Sequence, residues 1–186
     1  MTSKTNPEHD FTLVLGGFRQ LSREIVDAFF EACDDCTLAM RGGRPYASFS
    51  REAPSLKDAI LSAIRDVLKV RGVHVVRVDF SNLVSQAEIA RKIGKTRQMV
   101  HRYASGIRSP GGFPPPVSRR VNDEPLWYWN EVAHWLWEND MVPEGVYCDA
   151  EAVDSVNVTL EYLNKMRHPT PLLREVRSVL RPKKIA

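Results

Sequence analysis

The sequence predicts an α+β chain in three parts, on three observations. Over the first eighty residues, alternating and helix-spaced apolar positions follow the order strand, helix, strand, strand, helix, strand. A helix-turn-helix pattern then runs from Ser85 to Tyr103. Beyond Asp149 the apolar spacing is helical again, through Val153, Val156, Leu160 and Leu163. The expected divisions are residues 1–80, 81–148 and 149–186, the last a helical tail.

In the first part, Phe11, Leu13 and Leu15 share one face of a strand that the Gly16-Gly17 turn ends. That glycine pair matches neither G-x-G-x-x-G nor a P-loop, so a turn is expected and not a phosphate cradle. Leu21, Ile25, Ala28, Phe29 and Ala32 recur at helical spacing. Strand patterns at Thr37 to Met40 and Tyr46 to Ser50 flank Gly42-Gly43, a hairpin signal. Ser55 is placed to cap a second helix, with Asp58 near its first-turn amides. The stripe of that helix runs Leu56, Ala59, Ile60, Ala63, Ile64, Val67, Leu68. Gly72 stops it, and Val73 to Phe80 reads as the last strand. This order is the split βαβ unit, the ferredoxin-like βαββαβ arrangement, with both helices on one face of an antiparallel sheet. The other face would carry Thr12, Val14, Ser48 and Ser50, and suits a partner or a second copy of the domain.

In the second part, Ser85 and Glu88 form an S-x-x-E capping box for the first helix of the motif. Ile89, Ala90 and Ile93 face inward, and Gly94 permits the tight turn. Thr96 caps the second helix, whose inner side is Met99, Val100 and Tyr103. A turn-rich stretch from Ser105 to Pro116 follows, its prolines favouring an extended path. Strand patterns at Val117 to Val121 and Leu126 to Trp129 surround Asn122-Asp123-Glu124-Pro125, which reads as a hairpin, or wing. Asn130 is the expected cap of a helix with Val132, Trp135 and Leu136 on one face. In the tail, Thr170-Pro171 starts a short helix striped with Leu173, Val176 and Leu180.

Charge is unevenly placed along the chain. Residues 1–80 hold eleven charges of each sign, residues 81–120 eight basic and one acidic, and residues 121–148 six acidic and none basic. The positive block coincides with the helix-turn-helix, the electrostatic footprint of a nucleic-acid-binding module. A second helix lying in a major groove reaches base edges and phosphates. The candidate DNA-contacting residues are Ser85, Gln86, Lys95, Thr96, Arg97, Gln98, His101, Arg102, Arg108, Arg119 and Arg120. Arg97 and Gln98 suit bidentate pairing with guanine and adenine, whereas Arg102, Arg119 and Arg120 suit phosphate. His101 reads as a surface histidine first.

Other chemistry finds little support. Cys33 and Cys36 form a C-x-x-C without a second pair or paired histidines to complete a zinc site, so two semi-buried thiols are expected. Core packing accounts for at least two of Trp127, Trp129, Trp135 and Trp137 better than base stacking does. Glu131, Glu138, Asp140 and Glu144 read as an acidic face turned from DNA. No G-x-S-x-G, H-E-x-x-H or paired-carboxylate pattern appears, so neither an enzyme nor a cofactor is expected. The polar start and the lack of a long apolar run place the expected location in the cytoplasm.

Gln86 to Tyr103, with Ala90, Gly94 and Val100 at its key positions, resembles the helix-turn-helix of bacterial and phage regulators. Gly112-Phe113-Pro114, then Leu126-Trp127-Tyr128-Trp129 leading into a helix with Trp135-Leu136, resembles the MerR-like and excisionase-like (AlpA-type) winged helices. The similarity covers about Leu83 to Trp137. It implies a sequence-specific regulator of double-stranded DNA, a repressor or autoregulator. The second helix, residues 96–105, would read the major groove and the wing would contact the backbone. An antitoxin or adaptor, binding a protein partner through the N-terminal domain and bringing it to DNA, is the alternative, and an architectural or excision factor a third. A homodimer assembled through residues 1–80 is expected beside the DNA itself.

Overall fold

The structure is a computed structural model, and it describes residues 6–107, 109–120 and 123–180. It is mixed α+β, with seven helices and two antiparallel sheets among those residues. No described helix is long and apolar enough to cross a membrane.

The larger sheet contains β1 (Glu8–Gly16), β2 (Cys36–Arg41), β3 (Arg44–Glu52) and β4 (His74–Val78), in the order β2-β3-β1-β4. All its pairings are antiparallel, with Leu13 opposite Ala47 and Cys36 opposite Phe49. The expected alternation of β1 is present: Leu13 and Leu15 join Ala47, Phe49 and Val75 in a core. Helices α1 (Arg23–Ala32) and α2 (Leu56–Val67) supply Phe29, Ile60, Ala63 and Val67 to the same core. Ser22 and Ser55 cap them, each side chain accepting a first-turn N–H. Gly17 has φ +105, and a Cβ there would lie 1.9 Å from the Gly72 carbonyl oxygen, so the turn requires glycine.

The opposite sheet face is less open than its alternation implies. Val14 is 1% exposed, between Tyr46 and Arg77 in the register. Thr12 and Ser48 hydroxyls bond across the strands at 3.0 Å. Ser50 lies 2.8 Å and 2.6 Å from carboxylate oxygens of Glu8 and Asp10. Where α1 runs into β2, the Cys33 and Cys36 sulfurs are 3.3 Å apart, one thiol buried and the other half-buried. Their hydrogen bond pushes the Cys33 thiol up and the Cys36 thiol down, with burial raising both.

The smaller sheet has the order β5-β7-β6, from β5 (Leu83–Ser85), β6 (Ser118–Arg119) and β7 (Pro125–Tyr128). No strand is expected at β5; its three residues pair with β7, Val84 opposite Trp127. Helices α3 (Gln86–Lys92), α4 (Arg97–Ala104) and α5 (Trp129–Glu138) surround a second core of Val84, Ile89, Val100, Trp127, Val132 and Leu136.

Three expectations need correction. Asn130 does not cap α5: the helix begins at Trp129, with no side-chain cap. β7 leads straight into it, and the Trp129 N–H bonds the Asn82 carbonyl at 2.8 Å, so strand pairing sets the start. Helix α6 is Glu144–Arg167, so the division expected between residues 148 and 149 falls inside it. Its side chains serve both cores, Val146, Tyr147 and Ala150 the second, Val153, Val156 and Leu160 the first. Phe80 also packs against both cores. Leu163, expected inward, is 52% exposed. The last helix, α7 (Pro171–Val179), starts as expected, with the Thr170 side chain accepting the Leu173 N–H. Its stripe meets no core: Val176 is 43% exposed and Leu180 74%.

Candidate nucleic-acid interface

The capping box is complete. The Ser85 hydroxyl accepts the Glu88 N–H, and the Glu88 carboxylate accepts the Ser85 N–H at 2.7 Å. That backbone hydrogen bond, then the Ser85 hydroxyl, hold the Glu88 carboxyl below its usual range against burial, helped by Arg120 and Arg91. Gly94 turns the chain at φ +63, a left-handed conformation that glycine adopts without a Cβ penalty. The Lys95 N–H then closes on the Ala90 carbonyl at 2.9 Å. Thr96 caps α4 by accepting the Met99 N–H at 3.2 Å.

On α4, Val100 is fully buried and Tyr103 half-buried; the inner edge residue Met99 is 36% exposed. Arg97, Gln98, His101 and Arg102 are exposed. Their spacing, i, i+1, i+4, i+5, makes two adjacent columns on one helix surface. Lys95 and Thr96 extend that exposed surface at the amino end of the helix. Among the described residues, neither Lys95 nor Arg102 has a carboxylate within ion-pair distance.

Two indoles hold the loop between α4 and β6. Trp127 donates its Nε1–H to the Pro114 carbonyl at 2.9 Å, and Trp135 donates to the Gly111 carbonyl at 2.8 Å. Phe113 sits among Tyr103, Trp127 and Trp135, with ring centroids 6.4, 6.0 and 5.0 Å away. Trp127, Trp129 and Trp135 are thus core residues, each at most 5% exposed. Trp137 stacks on Tyr147 at 5.3 Å.

The β6–β7 hairpin is tied to the helices by charge. Arg120 reaches Glu88 at 3.3 Å and Glu124 at 3.5 Å. The other oxygen of Glu124 lies 4.0 Å from Arg97. A chain of alternating charge therefore runs from α3 through the hairpin to the amino end of α4. Arg119 pairs with Asp123 at 3.3 Å. The sequence reading missed this role of Glu88 and Glu124, although the i, i+4 spacing of Arg120 and Glu124 signals part of it.

Of the expected contact residues, Lys95, Thr96, Arg97, Gln98, His101, Arg102, Arg119 and Arg120 are exposed, and Glu124 links Arg97 to the hairpin. Ser85 and Gln86 are corrected: they are 3% and 9% exposed. Ser85 spends its hydroxyl on the cap. Arg108 lies outside the described residues, as do Val121 and Asn122 of the expected hairpin. The arrangement offers guanidinium, amide and imidazole groups on one rigid helix, beside two arginines whose counter-charges are exchangeable carboxylates. Guanidinium and amide groups so presented can pair with base edges, and the arginines with phosphate. No family model, curated protein or solved structure matches the chain.

Proposed function

We propose that this chain is a sequence-specific double-stranded DNA-binding regulator of the repressor or autoregulator kind. In this reading α4 enters the major groove and the β6–β7 hairpin lies along the backbone. One observation carries it: α4 buries Val100 while exposing Arg97, Gln98, His101 and Arg102 as a contiguous surface within the most basic segment of the chain. The two short helices, the hairpin and α5 support a winged helix-turn-helix resembling the MerR-like and excisionase-like regulators. The strand order β2-β3-β1-β4, with α1 and α2 packed on one core, supports a ferredoxin-like reading of the first part.

The test is selection of duplexes from a random pool by the full chain, followed by titration of the selected and a scrambled duplex over a salt series. The reading requires a selected site bound roughly 10³-fold or more tightly than the scrambled one, with affinity falling steeply in salt. Equal affinity for both duplexes, or binding to neither, overturns it. The adaptor reading has one observation in its favour, Phe30 of α1 at 78% exposure. It requires a host protein whose retention is lost in Phe30→Ser while DNA affinity is kept.

A further inference from the structure

Helix α7 is well formed yet belongs to neither core. It is nine residues long, and isolated helices shorter than about 12 residues are marginal in water, so its stability calls for a partner. Leu172, Val176 and Val179 recur at i, i+4 and i+7, a single stripe, and are 67%, 43% and 76% exposed. Leu173 and Leu180 widen that stripe into one apolar face, which Glu175 borders on one side and Arg177 on the other.

The same molecule carries a groove of matching character. It lies between α2 and α6, has a volume of about 870 Å³, and is floored by Leu61, Ile64, Val156, Leu160 and Leu163. Lys57 stands on its α2 wall, and Asp149 and Glu151 on its α6 wall. The walls thus offer a cation opposite two anions, and α7 offers an anion opposite a cation. Burial pushes the Asp149 carboxyl up, against His9, and a guanidinium beside it relieves that cost.

Reach decides whose helix fits. Along α6, Glu151 lies about 24 Å before Arg167, at 1.5 Å per residue. Folded back through His168–Thr170, a chain's own α7 carries Arg177 only about 9 Å along that path. Its own helix therefore cannot bring Arg177 to Asp149 or Glu151. We propose that the groove between α2 and α6 receives α7 of a second copy of this chain, and that the exchange is reciprocal, giving a symmetric dimer. Each copy then uses the same two surfaces, as a two-fold interface requires. The dimer does not depend on the DNA reading.

Cys148, exposed on the groove wall, provides the test. The full chain is sedimented, and a Val179→Cys variant is exposed to a mild oxidant and run without reductant. The full chain should sediment as a dimer, and the variant should cross-link into a covalent dimer that disappears when Cys148→Ser is added. Val176→Asp changes an exposed side chain, so the fold should survive by circular dichroism, and the dimer should be lost. Arg177→Glu should weaken the dimer roughly tenfold, and Glu151→Arg should restore it in the double variant. A monomeric full chain, a cross-link within one chain, or a dimer indifferent to Val176→Asp overturns the proposal.

Discussion

Asn157 completes the free edge of the larger sheet: its Oδ1 accepts the Val78 N–H at 2.7 Å, and its Nδ2 donates to the Val78 carbonyl at 3.3 Å. Two helical turns later, Asn164 donates to the Val75 and Val76 carbonyls at 3.0 and 3.2 Å. Among the described residues β4 pairs only with β1, so its outer backbone groups need partners, and α6 supplies them with amide side chains on one stripe. Nearer the start of α6, Asp154 accepts from Asn82 and Asn130. The helix is therefore fastened both to the sheet and to the elements that carry α4.

The first prediction follows from that fastening. Asn157→Leu keeps the bulk but leaves a buried strand N–H unpaired. It should cost about 1–3 kcal/mol in the urea unfolding of the full chain. A loss under about 0.5 kcal/mol would mean that water replaces the amide freely.

Arg97 and Gln98 should separate from Arg102 in their effect on DNA. Alanine at either of the first two should cost roughly 1–3 kcal/mol on the selected duplex and little on the scrambled one. Arg102→Ala should weaken both duplexes alike and lower the salt slope by about one. Equal losses on both duplexes for Arg97→Ala and Gln98→Ala would show that these side chains do not read bases.

Glu124 places a negative charge between Arg97 and Arg120, two of the arginines proposed to meet DNA. Glu124→Gln frees Arg97 and Arg120 from a carboxylate and should tighten binding to scrambled duplex more than to selected duplex. The salt slope should steepen by up to about one. An unchanged slope and an unchanged ratio of affinities would place Glu124 away from the phosphates.

The Glu88 carboxyl makes stability depend on pH. Its folded value lies below the ordinary 4.5, so its contribution is complete above that value and fades as pH falls through the lowered one. Glu88→Gln should therefore cost about 0.5–1 kcal/mol near neutrality, and the gap to the parent chain should close in acid. Urea midpoints of the two proteins across an acid series measure it. A gap that stays constant into acid would assign the loss to geometry and not to charge.

What the sequence determined by itself is local. The period of the apolar residues placed β1, α1, α2, α4 and α7 because a strand repeats every second residue and a helix every 3.6. Ser55, Ser85, Thr96 and Thr170 marked helix starts because a side-chain oxygen there satisfies an otherwise unpaired N–H. The exposed side of α4 was legible for the same reason: one buried column defines the opposite face. The tertiary structure alone decided what depends on distant partners. β5 is three residues without a pattern of its own, a strand only because β7 lies beside it. Gln86 reads as a polar surface residue and is buried by its neighbours. Glu124 acquires its role because the hairpin brings it to Arg97, 27 positions earlier in the chain. The apolar period of α6 runs on from one core into the next, so no change of pattern marks the junction. Only packing showed that Ala150 faces the second core and Val153 the first, and that Asn157 and Asn164 pair with a strand edge some 80–90 residues back.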